Sequence, residues 1–171
     1  ALADLPVAMA QGLRDFAEQG RAAMGDDLRS IVLFGSAAEG RLRATSDLNL
    51  IVVVSALQPA SFDAWRESMR LLETLHRAHF MVLLESEIGL AMDAFPDKLM
   101  SVLRRHRVLL GPDPFAGRAI NPALLRARIS QSLLNQVLRL RSAYALRSLQ
   151  PEQATLALAT AIGPLRAEAA D

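Results

Sequence analysis

Two short polar groups in this sequence have the residue types and the spacing to hold a phosphate and a metal ion. Gly35 and Ser36 follow one apolar segment, and after ten further residues Asp47 and Asn49 begin a second. A glycine at the end of a strand lets backbone amides approach a phosphate, and a serine hydroxyl adds a donor. Residues two apart on a strand project to one face, so Asp47 and Asn49 are expected to point the same way. This layout suits phosphoryl transfer.

The second polar position of this layout, Asn49, carries an amide where a magnesium site would favour a carboxylate. At about 4 Å and an effective dielectric near 20, a pair of unit charges is worth roughly 4 kcal/mol, and a divalent ion doubles that figure. Hydration offsets most of it, and a neutral amide is the weaker magnesium ligand. Asn49 therefore weighs against the binding of two adjacent Mg²⁺ ions.

A third carboxylate would have to come from farther along the chain. Glu85 follows a later apolar segment and is the best candidate, and Glu87 has the same strand parity. The alternative is that both acids cap the short helix that begins near Ser86, where acidic residues are favoured by the helix dipole. In the loop between the two motif halves, Arg41 and Arg43 either are solvated or reach a phosphate.

The elements that must position these residues follow from the apolar patterning. Strands are predicted at Leu28–Phe34, Leu48–Val54, Phe80–Leu84 and from Val108 to Leu110. Amphipathic helices are predicted before the first strand, between the second and third strands, and on both sides of Phe95. Asn121-Pro122 then begins a long helix, and Gln150-Pro151 separates it from a last helix that is apolar nearly all round.

These residues resemble the nucleotidyltransferase superfamily, which has the DNA polymerase β-like fold, and most closely its minimal and kanamycin-type members. Gly35, Ser36 and Asp47 match the family motif, whereas Asn49 stands where the family has Asp or Glu. The resemblance is firm over residues 28–54, extends loosely to 115, and includes a downstream part similar to bacterial members. It implies an α+β fold, with a small mixed or antiparallel sheet flanked by helices over 1–115 and a helical extension over 116–171.

The resemblance also implies a reaction: transfer of a nucleoside monophosphate from a nucleoside triphosphate to an acceptor hydroxyl, with two Mg²⁺ ions. The alternative is a catalytically inactive member that binds a nucleotide or a protein partner. The residues assigned on this basis are Asp47, Asn49 and Glu85 as catalytic, Asp47 and Glu85 as metal ligands, and Gly35, Ser36, Arg41 and Arg43 as nucleotide-binding.

Composition narrows the other classes of function. The chain has 171 residues, a net charge of +1 and only 5% aromatic residues, so nothing indicates a nucleic-acid surface. It contains no cysteine, which excludes disulfides and thiolate chemistry. No apolar run is long enough to span a membrane, and no signal-peptide pattern opens the sequence, so a cytoplasmic protein is expected. The apolar last helix is expected to pack against its own domain, in a homodimer, or against a helical protein partner.

Overall fold

The computed structural model describes residues 2–42, 46–147 and 151–168, so Arg43 lies outside the described residues. Six helices and four strands form along the described part of the chain. In order they are α1 (Val7–Met24), β1 (Leu28–Phe34), β2 (Leu48–Val54), α2 (Pro59–His76), β3 (Ala78–Leu84), α3 (Ile88–Ala94), α4 (Pro96–Arg104), β4 (His106–Leu110), α5 (Pro122–Arg147) and α6 (Pro151–Glu168). No helix among these residues is long and apolar enough to cross a membrane.

The four strands form one mixed sheet in the order β3-β2-β1-β4. β1 is antiparallel to both β2 and β4, whereas β2 and β3 are parallel and joined by the crossover helix α2. This confirms the predicted α+β class with a small mixed sheet. β1 and β2 have the predicted bounds, and β3 and β4 each begin two residues before the predicted start.

The main core lies between one face of this sheet and the helices α1 and α2. Alternate residues of β1 and β2, such as Leu33 and Leu50, are fully buried against them. The ring of Phe16 in α1 stacks on the indole of Trp65 in α2 with centroids 4.4 Å apart. The Trp65 indole N–H also donates to the Phe16 carbonyl oxygen at 3.0 Å. This packing fixes the sheet that carries the candidate site.

The chain divides into two compact units. The first unit comprises residues 1–91 and 101–119 and contains the whole sheet; the second comprises residues 92–100 and 120–171. In the second unit the Asn121 side chain caps α5 by accepting a hydrogen bond from the Ala123 N–H at 2.9 Å. Arg128 of α5 pairs with Asp97 at 3.4 Å.

Helix α6 is not covered within the described part of the chain, although such cover was one of the three alternatives expected for its apolar surface. Leu156, Leu158 and Ile162 are more than half exposed. On α5, Leu133 and Val137 are also partly exposed, and Tyr144 is 73% exposed. The apolar residues of these two helices therefore leave an uncovered surface on the second unit.

Candidate functional site

The sheet register brings the two halves of the sequence motif to one edge. Phe34, the last residue of β1, lies opposite Asn49 of β2, and Asn49 lies beside His79 of β3. Since β1 runs antiparallel to β2, the turn after Phe34 and the start of β2 meet at the same end of the sheet. Gly35, Ser36, Asp47 and Asn49 are thereby brought together, as their spacing predicted.

The turn at this edge depends on Gly35. Its φ of +75° lies in the left-handed region, where a side chain is disfavoured. A Cβ at this position would also lie 3.3 Å from Nδ2 of Asn49. The Gly35 carbonyl accepts hydrogen bonds from the N–H groups of Ala38 and Glu39 at 3.0 and 3.1 Å, which closes a single 3₁₀ turn. Ser36 is half-buried and follows Gly35 in this turn, which lies beside Asn49.

Each carboxylate oxygen of Asp47 faces a basic side chain. Oδ1 lies 2.9 Å from Nη2 of Arg77. Oδ2 lies 3.8 Å from Nε2 of His79. The Asp47 side chain is 39% exposed, but Oδ1 itself is buried, and its contact with Arg77 is an ion pair without the geometry of a hydrogen bond.

Arg77 is held in this position by its backbone as well as by its charge. It is the residue that ends α2, and its φ of 52° is the only positive φ of a non-glycine residue in the described part of the chain. Its carbonyl accepts a hydrogen bond from the Leu48 N–H at 3.3 Å, which ties the α2–β3 junction to the start of β2. The side chain remains 61% exposed.

A second arginine braces the loop that follows the turn. Arg107 of β4 donates from Nε to the Ala38 carbonyl at 2.7 Å and from Nη2 to Oδ2 of Asp4 at 2.6 Å. The hydrogen bonding between Arg107 and Asp4 lowers the pKa of the Asp4 carboxyl from 3.8 to about 2, and it raises the pKa of the Arg107 guanidinium. Arg107 therefore connects the N-terminal segment to the loop beyond Ser36.

Glu85 is not brought to this edge, which corrects its assignment beside Asp47. The parallel register pairs Leu48 with Ala78 at one end of the β2–β3 ladder and Val54 with Leu84 at the other. Glu85 follows Leu84 and is therefore separated from Asp47 by the length of a seven-residue strand, roughly 20 Å. Its carboxylate pairs instead with Arg29 at 3.4 Å.

The acids around the end of β3 have structural roles. The Glu87 carboxylate accepts a hydrogen bond from the Leu84 N–H at 2.9 Å, which is the capping arrangement that the sequence left open for this residue. Strand parity places Glu85 on a face of the sheet, but it does not say which end of the strand carries the site. The third carboxylate assigned from the sequence is thus absent from the described edge.

Of the two loop arginines, only Arg41 can be described. Its side chain is 74% exposed and lies 3.9 Å from the Glu39 carboxylate, which Arg105 also approaches at 3.2 Å. The Arg41 N–H donates to the Ser36 carbonyl at 2.9 Å, so its backbone stays close to the turn. Arg43 lies outside the described residues.

The edge has more hydrogen-bond donors than metal ligands. Among residues 2–42, 46–147 and 151–168, no three His, Cys, Asp or Glu side chains converge on a point where a metal ion could bind. The position on β3 beside Asn49 carries the imidazole of His79.

Sequence reasoning missed Arg77 and His79. The His79 side chain is exposed, and no metal-ligand spacing with other residues marks it in the sequence. Both residues lie at the start of the third strand. That position indicates a place in the site only once this strand is known to be parallel to β2 and adjacent to it.

The sequence matches no family model, and no curated protein is similar to it at a significant level. Solved structures are similar in fold. Spectinomycin adenyltransferase AAD(9) from Enterococcus faecialis, crystallised with ATP and spectinomycin, aligns with 75% of this chain and 67% of its own, at 16% identity and a TM-score of 0.57. A toxin–antitoxin with AMP-PNP and a toxin–antitoxin MntA-HpeT mutant each align with 74% of this chain and 91% of theirs, at 16% identity and a TM-score of 0.39.

Proposed function

We propose that this chain, which has the nucleotidyltransferase fold, binds a nucleoside triphosphate at the sheet edge formed by Gly35, Ser36 and Asp47 without carrying out two-metal nucleotidyl transfer. One observation carries the proposal. Of the three side chains that the strands place beside one another at this edge, only Asp47 is a carboxylate, whereas Asn49 and His79 are an amide and an imidazole.

The nucleotide-binding half of the proposal is supported by the turn. Gly35 keeps the backbone in a conformation that leaves no Cβ between the turn and an incoming phosphate, and Ser36 adds a hydroxyl donor. Arg77 adds a guanidinium that is mostly exposed at the same edge. The adenyltransferase with the same fold is crystallised with ATP, which makes a nucleoside triphosphate the ligand to test first.

The catalytic half of the proposal follows from charge. Two-metal transfer depends on carboxylates that hold two Mg²⁺ ions against their mutual repulsion. At this edge one carboxylate faces a guanidinium 2.9 Å away, so the pair is already neutral. A neutral pair gives two dications little electrostatic attraction.

A second candidate function is nucleotidyl transfer to an unidentified hydroxyl acceptor. It is favoured by the match of Gly35, Ser36 and Asp47 to the family motif and by the way the strands bring them together. The narrower likeness to kanamycin-type enzymes belongs to this candidate and stays a prediction.

Two measurements on the full chain separate the candidates. Calorimetric titration with ATP and with GTP reports binding, and radiolabelled triphosphate with a panel of hydroxyl acceptors and Mg²⁺ reports transfer. We expect binding of at least one triphosphate and no transfer of label, either by the wild type or by Asn49→Asp. Transfer by the wild type that is lost in Asp47→Ala would establish the second candidate, and failure to bind either triphosphate would refute the proposal.

We further propose that the second unit associates with another helical surface, either a second copy of this chain or a helical partner protein. The support is the exposed apolar surface of α5 and α6.

A further inference from the structure

We infer that Arg77 takes the place of the divalent cation at this edge, so that the chain binds a triphosphate through a guanidinium and independently of Mg²⁺. The inference rests on the proposed nucleotide binding and concerns how the phosphates are recognised. The fold implies Mg²⁺, but the side chains at the edge do not fit a magnesium site.

The first reason for the misfit is that the one carboxylate is already paired. Oδ1 of Asp47 faces Arg77 and Oδ2 faces His79. A magnesium ion requires oxygen ligands at about 2.0–2.1 Å in a nearly octahedral arrangement. A magnesium ion bound to Asp47 would therefore stand beside the positive charge of the Arg77 guanidinium.

The second reason is the chemistry of the donor set. Arg77 has five N–H donors and no acceptor, and an asparagine amide, an imidazole N–H and a serine hydroxyl also donate. These groups are contributed by Arg77, Asn49, His79 and Ser36 at one end of the sheet. The amide, the imidazole and the hydroxyl can also accept, but none of the four groups carries the negative charge that a Mg²⁺ site favours, whereas their N–H and O–H donors suit phosphate oxygens.

Arg77 is also placed to exchange partners. Its backbone is fixed at the end of α2 and by the hydrogen bond from Leu48, while its side chain is 61% exposed. Asp47 contacts one terminal nitrogen of the guanidinium. Because arginine binds phosphate bidentately through a planar pair of N–H groups, the guanidinium can turn from the carboxylate to a phosphate without moving the strand.

The test compares ATP binding by the full chain with excess Mg²⁺ and with EDTA, using calorimetry. We expect the two dissociation constants to agree within about threefold, a free-energy difference below about 0.7 kcal/mol. Arg77→Gln is expected to weaken binding in EDTA about tenfold or more, because it removes a charge-assisted contact.

Arg66→Gln is the matched control. Arg66 lies on the same helix, is equally exposed and pairs with Asp63, but it is three turns from the edge. We expect this variant to bind ATP like the wild type. Arg77→Lys keeps the charge and loses the bidentate geometry, so an affinity between those of the wild type and Arg77→Gln is expected even if the glutamine variant folds poorly.

Titration of the nucleotide-free chain with Mn²⁺, followed by electron paramagnetic resonance, gives a readout that needs no nucleotide. We expect the spectrum of free Mn²⁺ to persist. ATP binding that occurs only with Mg²⁺, saturable Mn²⁺ binding that Asp47→Asn removes, or an Arg77→Gln affinity equal to that of the wild type would each overturn the inference and leave nucleotide binding standing. Absence of ATP binding under both conditions would instead refute the proposed function.

Discussion

The Asp47 carboxylate illustrates how neighbouring side chains change the role of a single residue. In a two-metal site such an acid binds cations that a triphosphate brings with it. Here Arg77 lies 2.9 Å from one of its oxygens, and the side chain beside it on β3 is His79. In the proposed binding mode, the charge of Asp47 orients a guanidinium and opposes an incoming phosphate.

This difference reverses the expected effect of removing the acid. We expect Asp47→Asn to bind ATP in EDTA as tightly as the wild type or up to about tenfold more tightly, because a negative charge next to the phosphates is removed and Arg77 loses its competing partner. A magnesium-dependent site would lose affinity on the same change. Calorimetric titration with ATP in EDTA measures the effect.

Glu85→Gln provides the control for this variant, since it makes the same chemical change at the opposite end of the sheet. Glu85 pairs with Arg29 on an exposed surface, where an ion pair contributes about 0–1 kcal/mol to stability. Its ATP affinity should match that of the wild type. A loss of ATP binding in Asp47→Asn, with the fold intact by circular dichroism, would contradict the expectation.

Some residues at this edge could be located from the sequence and others could not. Gly35, Ser36 and Asp47 were predictable because each lies next to an apolar segment that fixes its strand end. Glu85 was not, because parity gives a face of β3 and not the end that approaches the motif. Arg77 was missed because it ends α2 in a left-handed conformation that glycine more often adopts.

At the scale of secondary-structure elements, the site is held by loops that are tied to the sheet. β1 and β2 were predictable from the apolar runs at residues 31–34 and 50–54, which are buried on both faces of the sheet. β3 and β4 begin with His79 and His106 in or near their first positions, and polar residues at a strand end give no apolar signal. The brace from Arg107 links residues 103 positions apart, a contact that local patterning does not report.

The Arg107 brace has a measurable consequence. Removing the guanidinium in Arg107→Gln should return the pKa of Asp4 from about 2 to its ordinary value of 3.8. Because the pKa in the folded chain is the lower one, the Asp4–Arg107 pair contributes stability fully above about pH 4, and this contribution is lost as the pH falls through about 2. Nuclear magnetic resonance titration of the Asp4 side chain measures the shift.

The same variant should loosen the loop after Ser36, because the Ala38 carbonyl loses its hydrogen bond from Arg107. Faster amide exchange over residues 36–42 would report this effect. Arg14→Gln is a suitable control, since Arg14 is an exposed residue whose side chain bonds to Gln11. A pKa for Asp4 that stays near 2 in Arg107→Gln would show that another group lowers it.

At the scale of the whole molecule, the two units differ in how well their apolar residues are covered. The sheet unit buries the aromatic side chains Phe16, Trp65 and Phe115, each at most 2% exposed, although single leucines such as Leu71 and Leu75 on its helix α2 remain exposed. The helical unit exposes a series of apolar residues along α5 and α6. The sequence predicted both helices, but a helix that is apolar on several faces does not specify which surface covers it.

Leu134 and Leu138 form an exposed apolar pair on α5. They lie one helical turn apart and are 56% and 51% exposed. We expect the full chain to form a homodimer through this surface, since the same apolar row on two copies is self-complementary about a twofold axis. Burying a leucine side chain fully contributes about 1.5–3 kcal/mol, so four leucines across the axis offset a substantial part of the cost of association. Light scattering coupled to size exclusion should give twice the chain mass of 18.6 kDa.

A double substitution, Leu134→Glu with Leu138→Glu, tests which surface is responsible, because it places two charges on each copy where the apolar row would be buried. We expect this variant to elute with the mass of a monomer and to have an unchanged circular dichroism spectrum.

Leu71→Glu with Leu75→Glu is the matched control, since these residues are also one turn apart, lie on α2 of the sheet unit, and are 56% and 64% exposed. A control variant that also becomes monomeric would move the interface to the sheet unit. A wild-type chain that stays monomeric at high concentration would leave the helical partner protein as the occupant of this surface.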